Sequence, residues 1–138
     1  MERTVKVKKL SNLIRRKLLT IGNSKQCSHY QILLFIRDRE HTFQRDIDRQ
    51  FSLQRPTTTE ILRIMENNGF ITKKGTKEDL RLKEILITPK GIESVKNFEQ
   101  PLNDVEENFV KDISAKDLAT FDKVIDKMIK NGEENWYK

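Results

Sequence analysis

Apolar residues return every three or four positions along most of this chain, and the breaks between the stripes divide it into elements. Between residues 4 and 21, Val7, Leu10, Ile14, Leu18 and Ile21 fall on one side of a helical wheel with Lys and Arg between them. That pattern predicts an amphipathic helix, which Gly22-Asn23 ends. Ser28 is placed to cap a second helix, in which Tyr30, Ile32, Leu33, Leu34, Phe35 and Ile36 are apolar over most of the circumference. Such a helix belongs at the centre of a core.

After the charged break at 37–41, Phe43, Ile47 and Phe51 are spaced by four, with Arg45, Asp46, Asp48 and Arg49 on the other faces, which predicts a short helix. Ser52-Leu53 is a tight connection. The next helix starts near Pro56, whose fixed φ suits a first turn; it buries Ile61, Leu62 and Met65 and stops at Gly69. Residues 70–74 and 83–88 read as two strands around a polar loop, Gly75–Leu82. From Pro89 and Gly91, Ile92, Val95, Phe98, Leu102, Val105, Phe109 and Ile113 mark a long helix of about 22 residues, roughly 33 Å, with a local bend expected at Pro101. Ser114, with Asp117 three positions on, is set to cap a last helix striped by Leu118, Phe121, Val124, Ile125 and Met128.

A chain of 138 residues suits one domain. We therefore read 1–138 as a single domain with a central lobe at 28–91 and flanking helical segments at 1–27 and 92–138. Charge sharpens this division: residues 1–25 carry +7, 26–90 carry +3 and 91–138 carry −4. A basic N-terminal part beside an acidic C-terminal part suits a polyanion-binding region joined to one with another task. No stretch reaches the ~18 apolar residues of a membrane helix, and the start MERTVKVKKL lacks the apolar core of a signal peptide, so a cytoplasmic protein without a membrane partner is expected. Cys27 is the one cysteine, which excludes an internal disulfide. It stands as a small buried apolar residue or as a redox-sensing thiol, and nothing beyond its being single favours the second.

Short helix, turn, helix and hairpin in succession is the grammar of a winged helix-turn-helix. The fold class expected is mainly α with a small β-hairpin wing, bearing N- and C-terminal dimerisation helices. Those outer helices are longer than the lobe needs for its own burial, so Leu10, Ile14, Phe109, Ile113, Phe121 and Ile125 are expected to face a second copy of the chain. The start of the second helix of the motif presents Gln54, Arg55, Thr57, Thr58 and Thr59. Arg pairs with guanine edges, Gln with adenine, and Thr reaches phosphate or a thymine methyl. The hairpin tip adds Lys77, Arg81 and Lys83, and an Arg there suits the narrow minor groove, with Asp79 placed to hold it by a two-point pair.

The stretch from Gln54 to Gly91 resembles the MarR family of bacterial regulators. The shared features are Arg55-Pro56-Thr57 opening the recognition helix, Met65-Glu66 and Gly69 ending it, Asp79-Leu80-Arg81-Leu82-Lys83 in the wing, and Thr88-Pro89-Lys90-Gly91 leading into the long helix. More loosely, Ser28 and Gln31 fit the start of the family's second helix. The resemblance implies a dimer with two winged lobes on a palindromic operator of double-stranded DNA, usually repressing transcription. By position it implies base or phosphate contacts for Gln54, Arg55, Thr57 and Thr59, minor-groove insertion for Arg81, and orientation of that arginine by Asp79. It also implies a small phenolic or lipophilic effector as partner. Cys27 matches no sensor position of the family, and that chemistry is not carried over.

Other classes have little support. His29 and His41 are the only histidines, no nucleophile motif or phosphate-binding Gly-rich loop occurs, and the histidines lack ligand spacing, so neither catalysis, a metal nor a cofactor is expected. The alternative is a winged-helix adaptor or antirepressor that acts through protein contacts without reading DNA; Arg55, Arg81 and Lys83 speak against it.

Overall fold

The computed structural model describes residues 1–21 and 24–136, excluding the side chains of 24–28. The Gly22-Asn23 stop and the environment of Cys27 lie outside the described residues. The elements run α1 (Glu2–Leu18), α2 (Ser24–Asp38), α3 (Gln44–Phe51), α4 (Arg55–Asn67), β1 (Ile71–Gly75), β2 (Lys83–Ile87), α5 (Pro89–Phe109) and α6 (Ala115–Asn135). Two expected boundaries move. α2 begins at Ser24, so Ser28 lies one turn inside the helix and does not cap it. α5 ends at Phe109, which leaves Ile113 in the connection to α6, where Asp112 takes a positive φ of 63°.

The chain divides into two compact units, Met1–Asn103 and Asp104–Lys138. The first holds the core: Tyr30, Ile32, Leu33 and Ile36 of α2, Ile47 of α3, Leu62 and Met65 of α4, Ile71, Ile85 and Val95. α2 contributes four of these, as its continuous apolar circumference requires. Full burial of a side chain such as Leu62 or Ile47 contributes about 1.5–3 kcal/mol. Two further ties join α2 to the first part of α5. Tyr30 stacks on Phe98 with ring centroids 3.8 Å apart, and Arg37 forks onto Glu99 at 3.0 and 3.1 Å. The guanidinium holds the Glu99 carboxyl below the usual carboxylate range.

The wing is an antiparallel pair in the register Ile71↔Ile87, Thr72↔Leu86, Lys73↔Ile85, Lys74↔Glu84 and Gly75↔Lys83. Alternation puts Ile71, Lys73, Ile85 and Ile87 on one face. The Ile85 N–H donates to the Thr42 carbonyl at 2.8 Å, so the α2–α3 connection adds one rung to the sheet.

α4 and α5 meet at a corner built by the Thr88-Pro89-Lys90-Gly91 sequence. The Thr88 hydroxyl donates to the Gly69 carbonyl at 2.6 Å and accepts the Gly91 N–H at 3.0 Å, while Lys90 Nζ reaches the Asn68 carbonyl at 2.8 Å. The carbonyls just past the end of α4 are thereby satisfied by the residues that start the next helix. Gly69 itself sits at φ 79°, a conformation that favours glycine.

α1 buries none of its residues, and Val5, Val7, Leu10 and Leu13 remain exposed, as does Leu19 just past its end. In the second unit, Ser114 Oγ accepts the Asp117 N–H at 3.1 Å, which is the cap expected from sequence. α6 leaves Phe121, Val124, Met128 and Ile129 exposed, with Leu118 and Ile125 half-buried. Among the described residues no helix is long and apolar enough to cross a membrane, and no group of His, Cys, Asp and Glu is arranged to hold a metal ion.

Candidate nucleic-acid interface

α3 is set at both ends by local chemistry. The Phe43 N–H donates to the Asp46 carboxylate at 2.9 Å, and Ser52 turns the chain with a positive φ of 49°. Leu53 N–H then bonds back to the Asp48 carbonyl at 2.9 Å, which delivers Gln54 as the N-cap of α4 after a two-residue link. Arg55 and Pro56 form the first turn of α4. The helix dipole makes that end electropositive.

The wing tip is closed by Thr76. Its hydroxyl donates to the Asp79 carbonyl at 2.7 Å and accepts the Asp79 N–H at 3.0 Å. Its own N–H donates to the Leu82 carbonyl at 3.1 Å. Asp79 Oδ1 accepts the backbone N–H of Arg81 at 2.9 Å and its Nε at 3.4 Å. The expected two-point grip on the guanidinium is therefore a single side-chain contact, because the second bond goes to the backbone. The Arg81 side chain is 94% exposed.

These two parts border one depression of about 370 Å³, lined by Arg45, Arg55, Lys73, Arg81 and Lys83 together with Phe43, Gln44, Leu82 and Ile85. Five cations and no carboxylate surround it. Arg55 at the head of α4 and Arg81 on the wing thus belong to one cationic surface, the arrangement that a duplex phosphate backbone with adjacent grooves requires.

Of the residues singled out from sequence, Gln54, Arg55, Thr57 and Thr59 are exposed on the first turns of α4, and Lys77, Arg81 and Lys83 are exposed on the wing. Lys77 is not among the residues of the depression. Thr58 is corrected: it is fully buried and its hydroxyl approaches the Gln54 carbonyl at 3.4 Å, because its place on the helix faces the core beside Leu62. Its role is packing, not contact with DNA.

Gln44, Arg45 and Lys73 were missed. Arg45 reads as one more charge on the solvent side of α3, and only the wing's position shows that it faces the depression. Lys73 could have been found from strand alternation, since it shares a face with Ile71 and Ile85. Of the candidate dimerisation residues, Leu10, Phe109, Ile113 and Phe121 are exposed and Ile14 and Ile125 half-buried, each within its own unit.

A helix-turn-helix followed by a basic hairpin, with both facing one cationic depression, defines a winged helix-turn-helix protein. The MarR family model matches residues 27–83, from α2 to the first residue of β2, and this part of the chain is similar to the MarR family. Among solved structures, the chain is similar to the PcaV transcriptional regulator from Streptomyces coelicolor in complex with its natural ligand. The TM-score is 0.79 at 17% identity, over 90% of this chain and 89% of that one. A mutant MarR from E. coli complexed with operator DNA superposes with TM-score 0.78 at 14% identity, over 93% and 94% of the two chains. The S. aureus MepR–DNA complex gives 0.77 at 20% identity, over 93% and 96%. At these identities the likeness is one of fold. No curated protein sequence matches the chain.

Proposed function

We propose that this chain is a sequence-specific regulator of transcription that binds double-stranded DNA as a homodimer on a palindromic operator, represses the adjoining genes and is released by a small effector. The observation that carries the reading is the shared depression of Arg55 and Arg81, which sets a recognition-helix end and a wing arginine on one cationic surface. Arg55, Thr57 and Thr59 face the major groove, Arg81 enters the minor groove, and Arg45, Lys73 and Lys83 bind phosphates between them. The homodimer is supported by the uncovered apolar side chains of α1 and α6, including Leu10 and Phe121. Such stripes are costly to leave in water and suit a twofold contact. For release by an effector, the support is a pair of relatives by fold: PcaV was solved with its natural ligand, and the DNA binding of Bordetella bronchiseptica BpsR is regulated by 6-hydroxynicotinic acid.

The test is a mobility-shift titration with the DNA fragment flanking the chain's own coding sequence, at several salt concentrations, followed by footprinting. Retention that protects a palindrome and weakens steeply with salt supports the reading. No retention at low salt, or equal retention of any fragment, overturns it.

A further inference from the structure

Gln44 and Asp48 lie one turn apart on α3, and both turn toward the first turns of α4. Gln44 Nε2 donates to Thr59 Oγ1 at 2.8 Å and to the Arg55 carbonyl at 3.4 Å. Asp48 Oδ2 stands 3.3 Å from Arg55 Nε. The Asp48 side chain is 17% exposed and that of Arg55 63%, so the pair joins a largely buried carboxylate to an outward guanidinium. The other carboxylate oxygen, Oδ1, is buried and has no hydrogen-bond partner among the described residues. A buried carboxylate with one oxygen unsatisfied depends on the cation that meets the other oxygen, and swinging Arg55 away would leave the charge uncompensated.

We propose that Asp48 is a positioning residue that decides how Arg55 reads DNA. Because the carboxylate lies beside Nε as an ion pair, the two terminal Nη groups are left to serve as the outward fork. Two parallel donors in that position match the O6 and N7 acceptors of guanine and clash with adenine, which presents a donor at N6. Drawn to the Asp48 carboxylate, the guanidinium is also biased away from a nearby phosphate, so its charge serves base choice more than uniform attraction. Gln44 fixes the backbone of the same residue and the neighbouring Thr59, which sets the height of the fork. This inference rests on the DNA-reading function proposed above.

The electrostatic sign gives a clean test. An acid near a duplex weakens attraction to any polyanion, so removing it should tighten binding if charge alone mattered. A positioning role demands the opposite for the specific site. Duplexes enriched by the parent protein from a randomised library serve as probe, beside a scrambled duplex of equal length. For Asp48→Asn, affinity for the enriched duplex is expected to fall about tenfold, and discrimination of guanine from adenine at one position per half-site to collapse. Affinity for the scrambled duplex stays equal or rises. In an Arg55→Lys background, which keeps the charge but lacks the fork, Asp48→Asn should change base preference no further. If Asp48→Asn melts below the working temperature, Asp48→Glu takes its place, since it displaces the carboxylate by one methylene, and carries the same expectation. Unaltered guanine preference in the Asp48 variant, or an equal further loss in the Arg55→Lys background, overturns the positioning role while leaving DNA reading intact. A parent protein that enriches no sequence overturns both.

Discussion

Gly91 and Phe70 approach so closely that a Cβ on Gly91 would run into the Phe70 carbonyl oxygen and the Ile87 side chain. The glycine is thus required by contact between the α5 start and the chain leaving α4, not by its own dihedral angles. Gly91→Ala is expected to lower stability by about 2 kcal/mol, the scale of overpacking against backbone that cannot yield. Urea denaturation of parent and variant measures it, and coincident midpoints would show that the corner opens at little cost.

His41 Nδ1 lies 2.7 Å from Glu84 Oε1, which joins the α2–α3 connection to strand β2. The hydrogen bond to that carboxylate, with its charge, raises the imidazole pKa above its ordinary value of 6.5. A raised folded-state pKa contributes stability that is fully present below about 6.5 and is lost as pH climbs through the folded value. His41→Gln should therefore lower the melting temperature more at pH 6 than at pH 8.5. An equal difference at both would mean that the pair contributes nothing as an ion pair.

Arg81→Ala should weaken operator binding by about 1–3 kcal/mol, the scale of one good groove contact. With its side chain 94% exposed, the melting temperature should not move. Fluorescence anisotropy on a footprinted duplex reads the first quantity and a thermal scan the second; parental affinity would remove Arg81 from the interface.

Thr57 and Thr58 are neighbours with opposite expected behaviour. Thr57→Ala, at an exposed position, should reduce DNA affinity and leave stability alone. Thr58→Ala removes a fully buried side chain and should cost about 1–2 kcal/mol of stability. Reversed outcomes in the same pair of assays would mean that the face of α4 is assigned wrongly.

Phe121 is 44% exposed on α6, so Phe121→Glu should leave the fold of one chain intact. In a packed interface between copies, the same charge would cost several kcal/mol. Sedimentation should accordingly show monomers where the parent forms dimers; an unchanged sedimentation coefficient would place the self-association surface elsewhere.

How far the molecule was legible in its sequence depended on the range of the forces involved. Ile47, Leu62 and Met65 announced their helices because burial imposes a period that the backbone then fixes. The Ser114 cap was equally clear, since its partner Asp117 lies three residues away. Thr58 was misjudged although the phase was legible: it lies four and seven residues before Leu62 and Met65, on the face they bury. Gln44 and Arg45 escaped notice because only the position of the wing turns their side of α3 into a wall of the depression, whereas Lys73 was overlooked although strand alternation sets it on the face of Ile71 and Ile85. The Asp79–Arg81 pairing was anticipated, but its geometry was not, since the backbone N–H competes for the same oxygen.

Because a single threonine side chain ties off the tip of the hairpin from both directions, the arginine beside it is offered on a loop already close to one shape. Contact with a duplex then removes less chain freedom than an open loop of equal length would lose, so more of each favourable contact survives as affinity. Stiffness here is local: it comes from one hydroxyl and a carboxylate, with no apolar residue buried to secure it.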